Sequence, residues 1–85
     1  MANNEPLSGL ELMADYEARA ESIYAAMYDA EPPDCKDLKD DASFYFARAV
    51  EVAEALGRVD DAARLRARSE NIHGVYNSQF RGVGP

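Results

Sequence analysis

The segment from Leu38 to Leu56 leaves little choice of secondary structure. Leu38, Ala42, Tyr45, Ala49, Val52 and Leu56 follow one another at alternating steps of four and three. Such steps return to one face of a 3.6-residue helix and to no single face of a strand. Phe46 and Ala53 widen the stripe, and Gly57 stands where a helix wants left-handed backbone after its last turn. The spacing predicts a helix over 37–56, with Asp34 or Asp37 as its N-cap.

The flanking segments carry the same periodicity. Ser8 and Glu11 have the spacing of a capping box, in which hydroxyl and carboxylate each accept the other residue's backbone N–H. Leu7 and Leu12 suit a hydrophobic staple around that cap. Met13, Tyr16, Ala20, Ile23, Met27 and Ala30 then share a face, and Pro32 and Pro33 end the run, because a residue before proline leaves the helical region. A first helix over about 9–30 follows. Asp60 is a good N-cap for a third, over about 60–79, on the stripe Ala62, Leu65, Ser69, Ile72 and Tyr76. Gly74 weakens that helix by about 1 kcal/mol relative to alanine, and 81–85 reads as a tail. Short connections place neighbouring helices antiparallel. The expected fold is all-α: one domain over 1–85, an up-down-up three-helix bundle.

Charge narrows the partners. The chain of 85 residues has a net charge of -7, split unevenly. Through Gly57 there are 4 basic residues against 13 acidic ones; beyond it, 5 arginines face 3 acids. Most of the surface therefore repels nucleic acid and anionic membranes. No run approaches the roughly 20 apolar residues a membrane helix needs. Cys35 is the one cysteine, so no internal disulfide can form, and the opening residues lack a signal-peptide pattern. A cytoplasmic protein is the expectation.

The run Tyr45-Phe46-Ala47-Arg48-Ala49-Val50-Glu51-Val52-Ala53-Glu54-Ala55-Leu56-Gly57 resembles the second helix of a tetratricopeptide repeat, with its small residues, apolar stripe and closing Leu-Gly. Asp60-Asp61-Ala62-Ala63-Arg64-Leu65 and Asn71-Ile72-His73-Gly74-Val75-Tyr76 loosely fit the first helix of a following repeat. The resemblance covers residues 42–76 at most, about one repeat, and no period runs through the chain. It implies protein binding rather than catalysis.

Few constellations offer chemistry. Glu70 and His73 form a Glu-x-x-His pair, the ligand spacing of carboxylate-bridged di-iron bundles. A complete site would need more glutamates, such as Glu17, Glu21, Glu51 or Glu54, or a second subunit; it would make the chain a small metal-dependent oxidoreductase. The alternative is a polar stripe of Arg66, Glu70, His73 and Asn77. Asp29, Glu31, Asp34, Asp37, Asp40 and Asp41 lack the spacing and central glycine of a calcium loop and read as a solvated run. Arg58, Arg64, Arg66 and Arg68 sit beside Asp60 and Asp61, which favours pairing with the acidic first two helices, or with an acidic partner, over nucleic acid. Glycine-rich phosphate loops and nucleophile elbows are absent from the sequence, and no cofactor is expected.

What remains is surplus apolar surface. Tyr24, Tyr28, Phe44, Val50 and Val75 lie off or at the edge of the stripes. Tyr24, Tyr28, Phe44 and Val50, rimmed by Arg64 and Arg68, are the expected face for a protein partner or a second copy of the chain.

Overall fold

A computed structural model describes residues 8–80, with the side chains of Pro32 and Phe80 excepted. Leu7 of the expected staple and the tail 81–85 lie outside the described residues. Three helices follow one another: α1 (Gly9–Met27), α2 (Pro32–Ala55) and α3 (Val59–Val75), the last continued by a π-helical segment, Tyr76–Phe80. It is a small all-α three-helix bundle in which each helix packs on the next.

The capping box forms as expected. Ser8 N–H donates to Glu11 Oε1 at 3.0 Å, and Glu11 N–H donates to Ser8 Oγ at 3.2 Å. Those bonds hold the Glu11 carboxyl below its ordinary range, chiefly through the Ser8 backbone N–H.

The first connection differs from the expectation. α1 stops at Met27, not Ala30, and tightens into i→i+3 turns: Tyr28 N–H donates to Ala25 O, Asp29 N–H to Ala26 O and Ala30 N–H to Met27 O. Glu31 is extended (φ -67, ψ 147), as a residue before proline should be. α2 then starts at Pro32 itself, so the expected link and the caps at Asp34 and Asp37 give way to Glu31 as N-cap. A proline in the first turn costs nothing, because its missing N–H would have no helical partner there and its φ is already helical. The two prolines therefore end one helix and open the next. Cys35 is carried into the helix and buried, its thiol 3.6 Å from both Met27 O and Glu31 O.

The second connection is tighter still. Gly57 has φ +74, Arg58 N–H donates to Ala53 O and Gly57 N–H to Glu54 O, the paired bonds of a Schellman motif. Arg58, rather than Asp60, is the N-cap of α3. Its carbonyl accepts Ala62 N–H at 3.0 Å, and its Nε donates to Asp61 at 2.6 Å. At the far end α3 does not run on as α-helix to residue 79. Beyond Val75 it widens into the π turn, where Ser78 Oγ donates back to Val75 O. A hydroxyl bonded back onto the preceding turn competes with the regular ladder and loosens it.

Three sets of contacts fix the directions of the helices. Leu56, at the end of α2, lies over Gly9 at the start of α1, so close that a Cβ on Gly9 would sit 2.6 Å from Leu56 Cδ2. Arg66 of α3 pairs with Glu54 late in α2, while Lys39, early in α2, lies 5.2 Å over the Tyr76 ring beyond α3. Both neighbouring pairs are thus antiparallel. α1 and α3 are parallel, since Arg64 meets Glu17 and Arg68 meets Glu21, one turn further along each helix.

The core is built on alanines. Ala20, Ala42, Ala49, Ala53 and Ala62 are buried, with Met13, Phe46, Leu65 and Ile72 supplying bulk. Small residues at facing positions let helices approach closely, which is how a chain of this size excludes water with few large side chains. A second cluster, Met27, Cys35 and Tyr76, closes one end. On α2 the buried line runs through Phe46 and Ala53 as well as Ala42 and Ala49, while Tyr45 and Val52 are half-buried and Leu56 is exposed. The expected stripe is thus rotated toward α3, because α2 is covered from two sides.

Candidate functional site

The expected interaction face is divided by the fold. Tyr24, Tyr28, Arg64 and Arg68 do share the α1–α3 side. Tyr24 and Tyr28 have their hydroxyls 2.9 Å apart and their rings edge-on at 5.6 Å. Arg68 lies 5.2 Å over the Tyr24 ring and donates Nε and Nη2 to the two Glu21 oxygens at 2.7 and 2.9 Å. Arg64 grips Glu17 in the same forked manner, at 2.7 and 3.2 Å. Each fork holds its guanidinium pKa above the ordinary value, and Arg68 holds the Glu21 carboxyl below its own. These pairs are part-exposed, so each contributes about 0.2–1 kcal/mol at most. Their larger effect is to set the register of α1 against α3.

Phe44 and Val50 are elsewhere. Phe44 stands two residues from buried Ala42 and two from buried Phe46, hence about 200° from both on a helix of 100° per residue. It points away from the core and is 57% exposed. Val50, one turn after Phe46, is half-buried in the α2–α3 groove, against the core.

A better-formed surface lies on the α1–α2 seam. Tyr16 of α1 and Tyr45 of α2 meet at 6.1 Å, and Phe44 stands edge-on to Tyr45 at 5.3 Å. Two arginines cross over them: Arg19 of α1 lies 5.9 Å over Tyr45, and Arg48 of α2 lies 5.9 Å over Tyr16. Asp15 anchors Arg19 at 2.9 Å and Glu51 anchors Arg48 at 2.8 Å, so each guanidinium is tied to a carboxylate of its own helix while it reaches the tyrosine of the other. Beside Arg19 and Tyr45 a recess of about 390 Å³ reaches Ile23. Tyr16 and Tyr45 lie on the expected core stripes; both are half-buried and pack against the core's edge, with their outer parts at the seam that α3 does not cover. The sequence signal for this surface is arginine three residues from tyrosine on both helices, Tyr16–Arg19 and Tyr45–Arg48. Leu10, Leu56 and Val59 are also exposed, at the end where α1 begins and α2 turns into α3.

The metal constellation does not assemble within one chain. Among the described residues no three His, Cys, Asp or Glu side chains are placed to hold a metal ion. Glu70 lines the α2–α3 groove, whereas His73 lines a separate recess with Lys36, Lys39 and Tyr76. All four supplementary glutamates hold arginines instead: Glu17 with Arg64, Glu21 with Arg68, Glu51 with Arg48 and Glu54 with Arg66. In the acidic run, Asp40 accepts Lys36 and Lys39, each at 2.8 Å, and those two ammonium groups hold its carboxyl down at about 2.

No helix among the described residues is long and apolar enough to cross a membrane. No protein-family model, curated protein or solved structure matches the chain.

Proposed function

We propose that this chain is a non-enzymatic protein-contact module that docks a partner polypeptide, or a second copy of itself, through the α1–α2 seam. The observation that carries this reading is the surface of Phe44, Tyr45 and Tyr16 crossed by Arg19 and Arg48. Aromatic and arginine side chains dominate interface hot spots: the rings bring large area with few rotamers to freeze, and arginine brings polar reach. Here the arginines are already ordered by Asp15 and Glu51, which lowers the entropy lost on docking. The tetratricopeptide-like run in α2 and α3 points the same way. A cytoplasmic setting suits Cys35, a free and buried thiol.

The test is a native mass spectrum of protein purified gently from its own cells, beside the variant Phe44→Ser. The wild-type chain should carry a second polypeptide or a second copy. The variant should lose it, with an affinity drop of about thirtyfold for a hot spot near 2 kcal/mol and an unchanged helical circular-dichroism signal. A spectrum of bare monomer, or association indifferent to Phe44→Ser, would refute the seam. Iron or manganese at a fixed ratio, lost on His73→Ala, would replace this reading with the metal-dependent one.

A further inference from the structure

The geometry points to the α2–α3 groove as a second docking site, one that takes a cationic amphipathic helix from a partner protein. Apart from Glu51, which anchors Arg48 at the seam and also edges this groove, it rests on residues distinct from the aromatic seam. The groove is an open recess of about 390 Å³. Its floor is Phe46, Ala47 and Val50, and Ser43 and Ser69 face each other across it as small side chains. Such walls let a further helix approach closely, as the alanines do inside the bundle.

The occupant is helical because the groove walls are themselves helices, whose backbone N–H and C=O groups are spent on their own ladders. An extended peptide would find no main-chain partners there, whereas a helix satisfies its own. The lined length, Ser43 to Glu51 on α2, is about 12 Å at 1.5 Å per residue, room for two turns. Apolar residues at i, i+3 or i+4, and i+7 would lie on the floor.

The charge of the occupant follows from a census of ion pairs. Every described arginine and lysine already holds a carboxylate: Arg19, Arg48, Arg58, Arg64, Arg66 and Arg68, with Lys36 and Lys39 sharing Asp40. The groove's rim carries Glu51, Arg66 and Glu70; Arg48 holds Glu51 and Glu54 holds Arg66, and among the described residues Glu70 alone of the three has no ion-pair partner. The chain's net charge is -7. An incoming helix must therefore bring its own cations to meet Glu70. A second copy has no uncommitted cation among its described residues and meets the first with like net charge.

The probe is a synthetic Leu/Lys amphipathic peptide of about 14 residues, four turns of helix, titrated into the ¹⁵N-labelled chain. Controls are a peptide of the same composition in scrambled order and a Leu/Glu counterpart. Saturable amide shifts should centre on 43–51 and 66–70. Ala47→Arg, which fills the groove from an exposed position, and Glu70→Lys should each weaken binding by about tenfold or more with helicity intact. Phe44→Ser should bind the peptide like the wild type, which separates this site from the seam. The proposal falls if the scrambled peptide binds equally well, if the shifts map elsewhere or are absent, or if neither variant weakens binding. It falls equally if the groove amides move with protein concentration alone, because a second copy would then be the occupant.

Discussion

Phe44 and Phe46 are the same side chain two residues apart on one helix, and truncating each to alanine should have very unequal consequences. Phe46 is 1% exposed and lies in the cluster with Met13, Ala49, Leu65 and Ile72. Its removal leaves a ring-sized hole among helices already in close contact, at a cost of about 3–5 kcal/mol. Phe44 is 57% exposed and, among the described residues, touches another ring only at Tyr45. Losing that edge-on contact costs about 0.5–1.5 kcal/mol, and the higher helix propensity of alanine returns about half a kcal/mol. The net effect of Phe44→Ala should thus stay under about 1 kcal/mol. For a domain of this size each kcal/mol moves the melting temperature by about 4–8 °C, so Phe46→Ala should melt at least 12 °C lower, and Phe44→Ala within about 8 °C of wild type. The assay is urea and thermal unfolding followed by far-ultraviolet circular dichroism, at concentrations low enough to keep the chain unassociated. Where Phe46→Ala lacks a folded baseline, Phe46→Leu, at up to about 1.5 kcal/mol, carries the comparison against Phe44→Leu. Equal costs at the two positions, or a larger cost at Phe44, would refute the rotation of the core on which the seam depends.

Three further predictions concern single sites. Asp40 has a folded pKa of about 2 against an ordinary 3.8, so its stabilising contribution is present above the ordinary value and lost as pH falls toward about 2. Asp40→Asn should melt below wild type near neutral pH, with the gap closing at about pH 2; a constant gap would show that Lys36 and Lys39 do not act through its charge. The two described glycines away from Gly9 should respond to alanine with opposite signs. Gly57→Ala forces a left-handed backbone, φ +74, on a residue with a Cβ and should cost about 1–2 kcal/mol. Gly74→Ala adds a Cβ that meets nothing within 4 Å and should gain up to about 1 kcal/mol. Thermal melts decide both, and a stabilised Gly57→Ala would contradict the Schellman turn.

Local signals in this chain are legible wherever a short stretch determines its own geometry. Ser8 with Glu11, and Gly57 after Leu56, form the cap and the turn their spacing predicts. The proline pair reads correctly as a break, but its second role as the first turn of α2 follows from what a helix start tolerates rather than from what ends a helix. The phase of the core is harder to read. Tyr45 and Phe46 are adjacent, and each completes a plausible apolar face of α2 taken alone. Only the position of α3 buries Phe46 and leaves Tyr45 at the seam. The Arg64–Glu17 and Arg68–Glu21 forks join residues 47 apart, so pattern along the chain could suggest basic meeting acidic but not which partner each would take.

The chain's connectivity makes the three seams unequal in entropy. Arg58 both finishes the turn after α2 and caps α3, so nothing between those helices is left outside helical duty. Arg66 and Glu54 meet across a loop of 12 residues, whereas the α1–α3 forks close loops of 47. By the logarithmic law for loop closure the longer loop costs about 1.2 kcal/mol more in chain entropy. Only side chains, with almost no backbone contact, offset that cost between α1 and α3. The bundle is a strip of two hairpins sharing α2, and a pair of arginine forks sets the register along the edge where α1 meets α3.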